Sequence, residues 1–432
     1  MNKKEVLEIR KQFTPANCAI TRICGCYVDH EKNKQMESKE AFLSLPEEEA
    51  FKYFDIFKKT LSGGIGRNML NMEFPLDQEM PGGTQEFLMK LKNSKLEDDM
   101  ILEEFYDKVI ENYICEGNYY IILIHAMYDI PGKASDNLEM YDSSDYVYEY
   151  LLCSICPVTL SKAGLSYNAE DNRIQDRIRD WIVEAPDKGF LFPAFNDRNT
   201  DLHSVLYYTK KSQDLQPELI DQVLGAKMPM SADTQKEAFQ MLIEDTLGED
   251  GDYEIIRNIH DTLNDMIAEH KEEPEPLELG KTDVKKVFEN SGVPAENMEL
   301  FEQNYDAAAG EKNSLMAENI TETRKFNIET PDVVIKVNPD RADLVETRVI
   351  DGRQCLVIAV DDHIEVNGIN VRTIKRPQST AEAGSVGNAE GAEYMESLKP
   401  PVEDGGFAGS TGDEAGGNSD SIEEMEYTEA ES

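Results

Sequence analysis

Asp197, Arg198, Asn199, Thr200 and Asp201, followed by His203, place three charged side chains and an imidazole just after the apolar run Phe190 to Phe195. Carboxylates and an imidazole at a strand end can hold a metal ion or work as an acid and base pair. Loops carried on a rigid element are where such groups usually act. Asp197, Arg198, Asp201 and His203 are therefore the candidate catalytic residues. The plainer reading is a polar turn in which Arg198 pairs an aspartate.

A second group carries thiols. Cys18, Cys24 and Cys26 share parity, so a strand over Ala19 to Val28 turns all three to one face, with His30 just past its end in the same parity. Thiolates and imidazole suit zinc, which makes Cys24, Cys26 and His30 candidate metal ligands. No compact Cys-x-x-Cys knuckle accompanies them, and buried cysteine often serves as a small apolar residue. The expectation is no bound metal and no cofactor. Cys153 and Cys156 have the two-residue spacer, but three positions along a strand reverse the face, and Pro157 follows. Redox chemistry is not expected of them.

Two further motifs read as structure. Ser62-Gly63-Gly64-Ile65-Gly66-Arg67-Asn68 follows a helix and lacks a Gly-Lys-Ser/Thr ending, so it is a helix stop rather than a phosphate loop. The helix pair from Thr282 to Ala308 has a second helix with Glu296, Glu299, Glu302 and Asp306 and no Lys or Arg before Lys312. That sign repels phosphates. His125, on an apolar strand, reads as a satisfied core histidine, and His260, His270 and His363 are isolated.

The charge of the whole chain narrows the classes further. The 432 residues include 86 Asp+Glu against 43 Lys+Arg, a net charge of -43. Such a surface disfavours direct nucleic-acid binding, anionic lipid and self-association. The N-terminus has no apolar h-region, and the longest apolar run, Tyr119 to Tyr128, falls far short of the roughly 20 residues of a membrane helix. Seven cysteines without a framework spacing fit free thiols in a reducing cytoplasm.

The elements that position these groups form an α+β chain with a largely antiparallel sheet. Strands are expected at Ala19 to Val28, Tyr119 to Tyr128, Tyr146 to Cys156 and Phe190 to Phe195. A long polar connection spans Asp129 to Asp145. Helices are expected after Ser44-Leu45-Pro46-Glu47, with Ser44 as a cap, and over Asp98 to Tyr113. This N-terminal domain covers 1–225. A helical hairpin follows over 226–270, turning at Gly248-Glu249-Asp250-Gly251, then an acidic linker over 271–280. A small module over 281–376 joins a helix pair to a β-meander whose turns are Asp351-Gly352-Arg353 and Asn367-Gly368. The tail, 377–432, has the composition of disorder.

The stretches QFTPANCAITRICGCYVD (Gln12 to Asp29), FKKTLSGGIGRNML (Phe57 to Leu70), LCSICPVTLSKAGLSY (Leu152 to Tyr167), FLFPAFNDR (Phe190 to Arg198) and TPDVVIKVNPDRADLVETRVIDG (Thr330 to Gly352) resemble an uncharacterised bacterial family. It is a domain of unknown function from clostridia and their relatives, and the resemblance implies no substrate or catalytic residue. The layout of the C-terminal module is similar, at fold level only, to the nucleoid-associated 37-kilodalton family. Three functions follow in order: a non-enzymatic cytoplasmic protein that binds another protein, a metal-assisted or acid/base hydrolase using the 197–203 loop, and a nucleoid-associated protein.

The tail gives the first prediction. Pro377 to Ser432 holds 14 acidic residues and one lysine, a charge of 1 − 14 = −13, and few apolar groups to offset roughly 1–2 kcal/mol of ordering cost per residue. Truncation after Arg376 is expected to leave the melting temperature within about 4 °C, measured by calorimetry. A truncated chain that does not fold contradicts this.

Overall fold

The computed structural model describes residues 1–133, 139–140, 146–248, 251–323, 325–360, 364–366 and 369–371. The tail, His363, Asn367-Gly368, the middle of the hairpin turn at 249–250 and most of the 129–145 connection lie outside the described residues. The chain is α+β, with a large antiparallel sheet and several two-stranded ones.

Long strands with apolar residues in both parities require cover on both faces. The centre of the sheet is built from such strands. The sheet contains β1 (Ile20–Val28), β2 (Lys34–Ala41), β3 (Met69–Glu73), β4 (Asn118–Ile130) and β5 (Tyr146–Leu160). A short hairpin, β6 (Leu165–Asn168) and β7 (Arg173–Asp176), leads to β8 (Trp181–Val183). Then come β9 (Lys188–Phe192), the small hairpin β10 (Ala194–Asn196) and β11 (Asn199–Asp201), and β12 (Ser204–Thr209). The sheet order is β2-β1-β4-β5-β9-β12-β3, with β8 paired to the end of β5. The expected strand from Phe190 to Phe195 is divided at Pro193, which has no N–H to donate to a ladder.

Alternation then sorts the side chains into two cores. Tyr119, Ile121 and Leu123 of β4, Leu151, Cys153 and Ile155 of β5, and Val205 and Tyr207 of β12 enter one. Ile122 and Ile124, Leu152 and Cys156, and Leu206 and Tyr208 enter the other. The first is roofed by α3 (Thr84–Asn93) and α4 (Asp99–Asn112), through Leu88, Leu91, Phe105 and Val109. The second is roofed by α1 (Lys3–Arg10) and α2 (Glu47–Thr60), through Val6, Ile9, Phe54 and Phe57. Asp98 caps α4 by accepting from the amides of Met100 and Ile101. The expected Ser44 cap of α2 is not formed. Pro46 occupies that position, and the Ser44 hydroxyl donates to the Ala41 carbonyl instead.

Beyond the sheet, α5 (Ala232–Leu247), α6 (Tyr253–His270), α7 (Lys281–Asn290), α8 (Phe301–Ala308) and the single turn α9 (Ala317–Ile320) enclose a third core. Phe239, Leu242, Leu263, Phe288 and Phe301 fill it. Leu279, inside the stretch read as linker, pairs with Leu315 and is buried there. The strands that follow pair two by two: Phe326–Glu329 with Val334–Val337, Val345–Ile350 with Arg353–Ile358, and Ile364–Val366 with Ile369–Val371. Among the described residues no helix is long and apolar enough to cross a membrane.

Close approach in the sheet centre fixes one glycine. A Cβ on Gly189 of β9 would stand 2.5 Å from the Cys153 carbonyl oxygen and 2.6 Å from Thr60 Cγ2. The backbone of β5 cannot yield without breaking its ladder. Gly189→Ala is expected to cost about 1–3 kcal/mol of stability, read by urea unfolding. An unchanged unfolding midpoint contradicts this packing.

Candidate functional site

The loop singled out by sequence is a tight two-residue turn between β10 and β11. Asp197 and Arg198 both have positive φ, 51° and 54°, the geometry such hairpin turns require. Arg198 reaches back to α1, where its guanidinium bonds both carboxylate oxygens of Glu8 at 2.8–3.2 Å and its amide donates to Glu5. The partner is thus a glutamate far away in sequence, and the pair fastens the hairpin to the first helix. The Met1 amino group donates to Asn196 Oδ1 at the same place. Asp201 accepts from Asn196 Nδ2 and from the His203 amide. Burial pushes its carboxyl up, yet bonds from Asn196, Ser204 and that amide hold it below the ordinary value. The His203 ring lies largely in solvent and turns to Glu79, 2.7 Å away, which raises its pKa. Asp197 is exposed and contributes its carbonyl to Asn199. The structure joins Asp201 to the His203 backbone, and sends the Arg198 and His203 side chains to different partners.

The cysteines are divided. Cys24 and Cys26 lie in the α3–α4 core, and burial pushes both thiols up to about 12. Cys18 packs against the opposite core. The expectation that all three share one face fails because the pairing of β1 with β4 slips between Ile20 and Arg22, so Ile20 and Ile23 face the same side. A bulge of this kind reverses parity upstream. His30 is exposed in the β1–β2 turn, where its amide donates to Asn118. Among the described residues no group of three or more His, Cys, Asp and Glu is placed to hold a metal ion. Cys153 and Cys156 lie in opposite cores.

The same slip creates a constellation the sequence did not announce. Thr21 is the extra residue at the bulge, and its Oγ1 lies 2.7 Å from Nδ1 of His125 on β4. His125 Nε2 lies 2.9 Å from Glu149 Oε1 on β5, and Glu149 Oε2 lies 3.2 Å from Lys92 Nζ on α3. His125 is fully buried, and that burial lowers its pKa despite Glu149. Burial also raises Glu149, but Lys92 and His125 together hold it below the ordinary value. An ionised Glu149 requires Nε2 to donate, so Nδ1 accepts the Thr21 hydroxyl proton, which is shared with the His125 carbonyl oxygen at 3.1 Å. Both ring nitrogens are satisfied, as a core histidine demands. Thr21, Glu149 and Lys92 are 104, 24 and 33 positions from His125, so no local motif could have revealed the set.

One surface feature also escaped the sequence reading. Leu165 and Tyr167 of β6 and Ile174 of β7 share a face of the hairpin, since Tyr167 pairs with Ile174. With Ile178, Trp181, Ile182 and Val183 they are 41–79 % exposed. The polar partners on the other face, Ser166 and Gln175, are the more covered ones. The hairpin therefore turns three large apolar groups outward, with Asp176, the partner of Leu165, beside them. The available signal was Trp181, the only tryptophan, set in a heavily charged stretch.

The family described as "Domain of unknown function (DUF4317)" matches residues 1–369, most of the chain. The chain belongs to this family. The match spans the sheet and its two cores, the helical unit and the first two of the strand pairs that follow. No curated protein matches the chain.

The buried histidine gives a pH prediction. A lowered pKa means the unfolded chain takes up the proton first, so this contribution to stability is present above about pH 6.5 and is lost as pH falls. Unfolding in urea at pH 7.5 and pH 5.5 is expected to show a smaller pH difference in His125→Gln than in the unaltered chain. His260, half-buried with a lowered pKa, supplies a remainder. An equal pH difference in both proteins contradicts the assignment.

Proposed function

We propose that this chain is a non-enzymatic cytoplasmic protein that binds another protein through the segment 165–183. The outward apolar groups of β6–β7, with the exposed Trp181, Ile182 and Val183 close behind them in the chain, carry this reading. Isolated two-stranded hairpins are marginal in water, and large apolar groups displayed together on one mark an interaction surface. The composition fits an interface: a tryptophan and a tyrosine with Arg173, Arg177 and Arg179 among aliphatic residues.

Charge points to a partner other than a second copy. The body repels its own kind at a net charge of -43. Between Lys162 and Glu184 the balance is close, with four basic residues (Lys162, Arg173, Arg177, Arg179) and five acidic ones (Glu170, Asp171, Asp176, Asp180, Glu184). An apolar, nearly neutral patch on an acidic body suits a partner that meets the patch with aromatic or aliphatic groups and the surrounding acid with basic ones. The hydrolase reading through 197–203 draws no support from geometry, since Arg198 is committed to Glu8 and His203 to Glu79. The net charge of -43 disfavours nucleoid association.

Capture from the chain's own cells tests the proposal. The immobilised full chain is expected to retain one protein in stoichiometric amount. Replacing Leu165, Tyr167 and Ile174 by serine, or Trp181→Ala, is expected to weaken retention at least about ten-fold without lowering the melting temperature. Asp197→Ala and His203→Ala are expected to retain the partner fully. Equal capture by the apolar-face variants contradicts the proposal.

A further inference from the structure

The glycine-rich turn between α2 and β3 does its structural work and leaves a cavity beside it. Gly66 has φ 76°, and a Cβ there would stand 1.6 Å from Met316 Sδ, so only glycine lets the turn meet the start of α9. Asn319 of α9 donates to the Gly66 carbonyl at 3.1 Å. Asn68 donates to the carbonyls of Thr209 and Lys210 at 3.1 and 3.3 Å. Three segments are thereby pinned around a cavity of about 480 Å³, lined among others by Arg67, Lys210, Lys211 and Glu318. That volume is of small-molecule size.

The charges of the cavity run against those of the chain. Arg67, Lys210 and Lys211 give three cations, and Glu318 one anion, a local balance of 3 − 1 = +2. Some lysines and arginines take carboxylate partners, as Lys34 does with Asp107 and Lys281 with Asp306. Among the described residues none of Arg67, Lys210 and Lys211 has a carboxylate within 4 Å. Three unpaired cations around one concavity, on a chain so rich in acid, focus an anion there. The turn itself offers no backbone cradle. Its amides at Gly66, Arg67 and Asn68 are consumed by Met69 and Gly64 carbonyls. The anion is met by side chains, with the planar guanidinium of Arg67 suited to two oxygens at once. A single carboxylate leaves half of the local charge uncompensated, whereas a phosphate monoester carries about −1.5 to −2 at neutral pH.

We propose that this cavity binds a small phosphate-bearing metabolite, its phosphate held by Arg67, Lys210 and Lys211. The site uses different residues from the apolar face, and neither proposal depends on the other. Because the phosphate would tie the turn before β3 to the segment after β12, its binding stabilises the fold.

Calorimetric titration of the full chain at constant ionic strength tests this, with glycerol phosphate, inorganic phosphate, acetate and citrate as probes. Glycerol phosphate is expected to bind and to raise the melting temperature. Arg67→Ala and the paired Lys210→Ala, Lys211→Ala variant are each expected to bind it at least about ten-fold more weakly. All three side chains are exposed, so the variants are expected to melt with the unaltered chain when no ligand is present. No binding of glycerol phosphate at millimolar concentration overturns the proposal, as does equal binding by the variants. Binding of inorganic phosphate alone overturns the assignment to an ester, and citrate binding as tight as glycerol phosphate overturns the preference for phosphate over polycarboxylate.

Discussion

Cover on both faces of the antiparallel sheet governs the rest of this structure. Once β4, β5 and β9 are enclosed, a polar group on them is stabilised only by a partner inside, because an unpaired buried group costs more than a hydrogen bond returns. Three such pairings stand out. Ser154 shares a hydrogen bond with Thr60 at 2.7 Å. His125 is held by Thr21 and Glu149, with Lys92 answering the carboxylate. Lys188, with no exposed surface, lies 2.7 Å from Asp187 and 3.1 Å from Asp214. Each joins the sheet to another element: α2, α3, and the segment after β12. The polar contacts hold the layers in one arrangement, while apolar burial supplies the bulk of the stability.

The same constraint isolates the exceptions. Large apolar side chains are exposed singly elsewhere, Leu43, Leu76 and Met100 among them, but the segment 165–183 gathers seven of them, and so stands apart from the logic of the body. So does the cationic cavity, on a chain where acid outnumbers base two to one. Neither helps the fold that can be seen. Groups that violate the pattern of a protein without a compensating contact are where function is expected. In the acid loop at 197–203, the densest chemical cluster in the sequence, Arg198 and Asp201 serve the fold, while Asp197 and His203 stay exposed. The arginine anchors α1, and Asp201 organises the turn.

Much of the architecture was legible because burial on both faces writes continuous apolar runs. Tyr119 to Tyr128 and Tyr146 to Cys156 could be read as strands directly, and the spacing of Phe54, Phe57 and Leu61 gave α2. What escaped was decided by pairing rather than composition. β2, Lys-Gln-Met-Glu-Ser-Lys-Glu-Ala, is a mostly exposed edge strand that exists because β1 offers it a ladder. The bulge at Thr21 leaves no trace in residue type, yet it moves Cys18 to the other core and brings Thr21 to His125. Arg198 was recognisable as an ion-pairing residue, but its partner, Glu8, is 190 positions away. Long-range partners of this sort are fixed by topology, which local patterns do not encode.

The claim that the outward apolar face is an interface is tested most directly by the emission of Trp181, the chain's only tryptophan. In the isolated full chain it is predicted to emit as an indole in water and to be quenched readily by acrylamide. In the assembly isolated with its partner, the emission is predicted to shift to the blue and the quenching to fall. A Trp181 already shielded in the isolated chain, or equally quenched in both states, would contradict the account.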